Sequence, residues 1–181
     1  MNLFSKLGLA VSFLALPAFA NMQGLYIGAN GGQVGFTGAA ADKINTSIGY
    51  GVDVGLRTSR RWEVAAHLQN SAHSGLSDMR VTSQGISIEG RPFNLSDMEI
   101  TVGAGAGVYL FHQDVTEAKL GINIGGAADI VLDKHVHIGT ASRVHFLSNG
   151  PYSGNYWTLM LRVGYVFDFG NDNPTMELTS R

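Results

Sequence analysis

From Ile48 to Arg57 every second residue is bulky and apolar. Ile48, Tyr50, Val52, Val54 and Leu56 share one parity, and Gly49, Gly51, Asp53, Gly55 and Arg57 share the other. A period of two is the mark of a β-strand whose faces meet different surroundings. The pattern restarts after the polar turn Thr58-Ser59-Arg60, with Trp62, Val64, Ala66 and Leu68 opposing Glu63, Ala65, His67 and Gln69. Between Met98 and Phe111 the bulky set is Met98, Ile100, Val102, Ala104, Ala106, Val108 and Leu110, against Glu99, Thr101, Gly103, Gly105, Gly107 and Tyr109.

Later segments repeat the scheme. Leu120, Ile122, Ile124 and Ile130 alternate with Lys119, Gly121, Asn123, Gly125 and Asp129. Val136, Ile138, Val144 and Phe146 alternate with His137, Gly139, Ala141, Arg143 and His145. The last run sets Trp157, Leu159, Leu161, Val163, Tyr165, Phe167 and Phe169 against Tyr156, Thr158, Met160, Arg162, Gly164 and Asp168. Leu25–Gly35 makes a first strand. A weaker one lies within Met79–Arg91, where the apolar parity changes between Val81 and Ile86 and predicts a β-bulge.

These are eight strands. Short turns at Thr58–Arg61 and Leu132–His135 alternate with longer polar connections at Thr37–Ser47, Asn70–Asp78, His112–Glu117 and Leu147–Asn155. Short turns on one side and longer loops on the other are the habit of membrane barrels. Eight strands leave about 20 residues each with a connection, ample for membrane-crossing staves of about 9–11. Ten would leave about 16 and fit less well.

The two faces separate a membrane barrel from a soluble one. An eight-stranded barrel has an interior just wide enough for side chains to fill it. Bulky groups on one face of every strand therefore belong outside, against lipid, with glycine, alanine and charge inside. The expected fold is all-β, an eight-stranded antiparallel up-and-down transmembrane β-barrel. A large soluble sandwich is the competing architecture, and it needs the Asp53, Glu63, Arg143 and Arg162 face to be solvated.

Composition sharpens this picture. The chain has 24 glycines and 4 prolines, and many of the glycines fall inside the alternating runs. Such glycines weaken strands but allow bends and close backbone approach, which a tightly curved barrel needs. Residues 1–20 read as a signal peptide: Lys6 gives a positive start, Leu7–Leu16 an apolar stretch, and Ala18-Phe19-Ala20 an Ala-x-Ala cleavage site. That apolar stretch is well short of the roughly 20 residues of a membrane helix. Cleavage would leave residues 21–169 as barrel and 170–181 as a short polar periplasmic tail. The mature chain would carry 11 basic and 14 acidic residues, a net charge of −3, which argues against a nucleic-acid partner. With no cysteine, neither disulfides nor thiolate chemistry arises.

In its alternation and its final strand the sequence resembles the small outer-membrane β-barrels of Gram-negative bacteria, the OmpA/OmpX type. Arg162, Gly164, Phe167 and Phe169 match the polar-x-Gly-x-x-aromatic-x-aromatic signal that members of that family present to their assembly machinery. The runs VGAGAGVYLF (102–111) and HIGTASRVHFL (137–147) look like strands of the same family. Members usually end on the final aromatic residue, whereas this chain continues to Arg181. The resemblance implies an integral outer-membrane location and contact with outer-membrane lipids and lipopolysaccharide. It also implies handling by the barrel-assembly machinery; the chain is expected to be a monomer.

Candidate chemistry lies on the inward face. Asp53, Glu63, Glu99, Asp129 and Asp168 supply acids, and Arg57, Lys119, Arg143 and Arg162 supply bases. Their near balance predicts a lumen laced with ion pairs, because poorly hydrated charge must be paired. A narrow water-filled path lined by the same groups is the alternative. His135 and His137 share a parity but flank a turn, and His145 lies roughly 26 Å further along an extended strand. No compact metal cluster is expected from them, and no cofactor.

RVHFLSNG (143–150) loosely resembles a segment of outer-membrane lipid A deacylases, in which His and Ser stand two residues apart. Here His145 and Ser148 are three apart, so they point to opposite faces of a regular strand. The next acid, Asp168, belongs near the other rim. The Gly-Ala repeat at 103–107 has no following helix and is not a dinucleotide loop. Aromatics near strand ends (Trp62, Tyr109, Phe146, Tyr156, Trp157, Phe167, Phe169) are expected to form interfacial girdles. The reading is a structural or surface-interaction barrel without catalysis, with a small-solute channel and a lipid A hydrolase as its rivals.

Overall fold

The computed structural model describes residues 22–75, 78–95, 97–148 and 154–169; the expected signal peptide and polar tail lie outside them. Alternation becomes eight strands: β1 (Gly24–Phe36), β2 (Ser47–Arg57), β3 (Trp62–His73), β4 (Met79–Leu95), β5 (Met98–His112), β6 (Thr116–Val131), β7 (Val136–Leu147) and β8 (Tyr156–Asp168). Each pairs antiparallel with the next, and β1 closes on β8 from Gly24↔Asp168 to Phe36↔Tyr156. Closure leaves no strand edge, so every ladder can be satisfied without water. That is the condition for crossing a bilayer with strands.

The outward parity is apolar almost throughout. Ile48, Tyr50, Ile88, Leu120, Ile122, Leu161 and Val163 are among its exposed members. Water would penalise such a belt by roughly 25 cal/mol per Å² of apolar surface, and lipid would not. Trp62, Phe146, Phe167 and Phe169 also face outward near the strand ends, as an interfacial girdle requires. Tyr109 and Tyr156 do not: both are only 1% exposed and point into the barrel. Their parity is that of the inward face, which outweighs their position near a strand end.

The end that carries Gly24 and Asp168 also carries the connections 58–61, 96–97 and 132–135. The opposite end, the loop end, carries 37–46, 74–78, 113–115 and 148–155. One expected long connection is short. β5 and β6 pair as far as His112↔Thr116, where His112 Nδ1 lies 3.0 Å from Thr116 Oγ1, leaving three residues between them. β4 corrects a second expectation. Its odd positions face inward without interruption from Met79 to Arg91, and the ladder to β5 is continuous from Arg80↔His112 to Gly90↔Val102. The register shifts only between Gly90 and Phe93, around Pro92, which has no N–H to give a ladder. The apparent change of parity arose because Val81 is an apolar residue facing in, whereas Ile86 faces out.

The interior therefore has two storeys. At the loop end an apolar cluster fills the lumen: Val34, Phe36, Met79, Val81, Phe111 and Met160 pack with Tyr109 and Tyr156. Phe36 makes ring contacts with Tyr156 at 5.4 Å and His73 at 5.3 Å. The 37–46 connection folds over this mouth through a turn of 3-10 helix at Gly38–Ala40 and inserts Ala40 and Ile44 into the cluster. Gly38 takes φ 68°, a left-handed value suited to glycine. Asn45 N–H donates to Ser74 O at 2.8 Å and ties the connection to the end of β3. Below this plug the inward face is polar.

Candidate functional site

The polar storey is built where inward positions of adjacent strands meet, and it resolves into three groups. In the first, Arg91 lies between two carboxylates, donating to Glu63 Oε2 and, at 2.9 Å, to Glu99 Oε1. Arg57 completes the square, 3.1 Å from Glu99 and 3.5 Å from Glu63. In the second, Arg143 donates to Glu89 and, at 3.1 Å, to Asn123 Oδ1. His67 stands between Asp53 at 2.8 Å and Glu89 at 3.4 Å, and Asn30 donates to Asp53 at 2.8 Å. In the third, Arg162 grips Asp129 with Nε and Nη2 and lies over the Tyr26 ring at 5.4 Å.

Inward glycines make room for these groups. A Cβ at Gly55 would collide with the Glu63 carboxylate, and one at Gly139 would collide with Asp129. Gly55 and Gly139 are therefore seats for charged side chains on neighbouring strands, while Gly105 and Gly107 let neighbouring backbone come close.

Of the residues expected in the lumen, Asp53, Arg57, Glu63, Glu99, Asp129, Arg143 and Arg162 enter these groups. Lys119 does not. It lies towards the loop end of β6 and pairs at 2.9 Å with the exposed Glu117 on its own strand. Asp168 is exposed at the opposite rim and makes no ion pair with a described residue. Glu89 and Arg91 are central to the network yet absent from the expected set. The signal was present as Ser87, Glu89 and Arg91 in one parity, and the misplaced bulge in β4 obscured it. In the final strand Arg162 and Gly164 face the lumen while Phe167 and Phe169 face out.

Two constellations resemble catalytic or metal sites. Asp53 Oδ1, His67 Nδ1, His67 Nε2 and Ser87 Oγ form a chain with links of 2.8 and 2.6 Å, the spacing of a serine-hydrolase triad. Ser87 Oγ also lies 3.0 Å from Glu89 Oε1, so the carboxylate competes with His67 for its hydroxyl proton. Ser87 is also 1% exposed, below the apolar plug, and out of reach of an acyl substrate. His145 and Ser148 are not a pair either: His145 is buried with its Nδ1 2.6 Å from Tyr109 Oη, while Ser148 is exposed beyond the strand end. The histidines stay apart, with His135 on the Tyr165 ring at the termini end and His145 in the upper lumen. His137 does, however, meet Glu99 and Asp129. One ligand atom from each of the three lies within 4.8 Å of the others.

No protein-family model matches the sequence, and no curated protein matches it either. Solved structures do match. Neisserial surface protein A (NspA) superposes with a TM-score of 0.66 at 13% identity, over 80% of this chain and 97% of that one. The outer membrane protein OprG of Pseudomonas aeruginosa gives 0.59 at 13% identity, over 82% and 97%. Ail, the attachment invasion locus protein of Yersinia pestis, gives 0.54 at 15% identity, over 81% and 99%. The fold is that of the eight-stranded outer-membrane barrels, the OmpA/OmpX type.

Proposed function

We propose that this chain is an integral protein of the bacterial outer membrane, exported by its N-terminal signal peptide, that works through its outer surface and loop end rather than through its lumen. The observation that carries the reading is the double closure of the interior. An aromatic and aliphatic plug occupies the loop end, and below it four arginines are each paired with buried carboxylates. A hydrated solute entering the lumen would have to displace the plug and then break ion pairs whose members cannot be left bare. The apolar belt meets outer-membrane lipid, and the loop end meets lipopolysaccharide and surfaces beyond it. The final strand, with Phe167 and Phe169 outward, is the segment read by the assembly machinery, and the barrel acts as a monomer without catalysis. NspA and Ail, a surface protein and an attachment protein by name, support a surface role for the same fold. Swelling of proteoliposomes in arabinose tests the reading. Swelling no faster than that of empty liposomes is expected; uptake at porin-like rates would replace it with a channel.

A further inference from the structure

Among the described residues, four of the seven buried polar side-chain atoms that lack a hydrogen-bond partner lie at the termini end of the lumen. They are His137 Nδ1, Thr101 Oγ1, Tyr26 Oη and Arg57 Nε. His137 is only 3% exposed, and its ring meets that of Tyr26 edge-on at 6.5 Å. It comes from β7, while Glu99 and Asp129 are register partners on β5 and β6. Pairing of three adjacent strands thus brings one imidazole and two carboxylates together, with their ligand atoms within 4.8 Å of one another.

We propose that Glu99, Asp129 and His137 form a binding site for a divalent cation of the zinc type. Imidazole with carboxylate oxygens suits a borderline metal, and three protein ligands leave a fourth position open. Bonds of about 2.0–2.1 Å place tetrahedral ligands about 3.4 Å apart, so closing on the ion needs side-chain movements on the order of 1 Å. The carboxylates retain capacity beside their arginines. Glu99 Oε1 takes both short bonds, from Arg91 at 2.9 Å and Arg57 at 3.1 Å, while Oε2 has only a contact of 3.4 Å. Asp129 receives one guanidinium bond on each oxygen, leaving a lone pair on each. Arg57, Arg91 and Arg162 already balance Glu63, Glu99 and Asp129, so the cation enters a locally neutral ring.

The test uses untagged protein refolded in detergent, treated with EDTA and titrated with ZnCl2 by calorimetry. One equivalent of Zn2+ should bind to the wild type and to His135→Ala. His137→Ala should lose affinity by at least about tenfold, the low end of the range typical of residues that only support a ligand. Heat-shifted gel mobility confirms that each variant is folded. The imidazole 15N signals of the unaltered protein provide a second readout that does not depend on the folding of His137→Ala: Zn2+ should move those of His137 before those of any other histidine. Absence of binding, or binding equal in wild type and His137→Ala with no movement of the His137 signals, overturns the site. Equal binding in the two proteins would mark an adventitious ion only.

Discussion

Replacing Arg91 by alanine is the sharpest perturbation of the lumen. Its side chain is 2% exposed and bridges Glu63 and Glu99, so the substitution leaves two buried carboxylates to share Arg57. Removing one partner of a buried ion pair costs about 3–5 kcal/mol, because the other charge stays desolvated. Arg57 remains within 3.1 Å of Glu99 and 3.5 Å of Glu63, which places the loss near the lower bound, about 3 kcal/mol. With a urea slope of about 1–3 kcal/mol per molar, the unfolding midpoint should fall by about 1–3 M. Trp62 and Trp157 report unfolding of the barrel in lipid vesicles by their emission, and unboiled gel mobility gives an independent reading. Adding Glu63→Gln removes the orphaned charge, leaves Glu99 paired with Arg57 at 3.1 Å and should restore about half of the loss. An Arg91→Ala midpoint within roughly 0.3 M of wild type, a small fraction of the expected fall, would refute the claim that the network is buried and mutually dependent. So would a double variant no more stable than the single one.

Other outcomes follow from the same two storeys. Phe111→Ala removes a ring from the plug and should cost about 3–5 kcal/mol in the same urea assay. Gly139→Ala drives a methyl into Asp129 and the Ala128 carbonyl, and should reduce the yield of the heat-shifted folded band after refolding. Lys119→Ala breaks only a half-exposed pair with Glu117 and should shift stability by no more than about 1 kcal/mol.

The strands were legible because a barrel wall has lipid on one side and packed side chains on the other, so parity carries the signal for most of its length. It failed where the inner face becomes apolar. Val81 looked like a lipid-facing residue out of step, and that misreading hid Glu89 and Arg91. Tyr109 and Tyr156 were misread by the reverse error: their chemistry suggested an interface, while their parity already placed them inside. Lys119 shares the inward parity of Asp129, but its long, flexible side chain lies nearer the loop rim and reaches its own strand's Glu117. The grouping of Glu99, Asp129 and His137 was not legible at all, since it depends on the register of three strands, which alternation does not specify.

Single-channel recording of the refolded wild type in a planar bilayer tests the central claim most directly, with gel mobility confirming insertion of folded barrel. A lumen closed by the Phe36, Phe111 and Tyr156 plug above paired arginines predicts no steady conductance level. A stable open level, changed by Arg143→Ala or Arg162→Ala, would contradict it and make the charged lumen a conducting path.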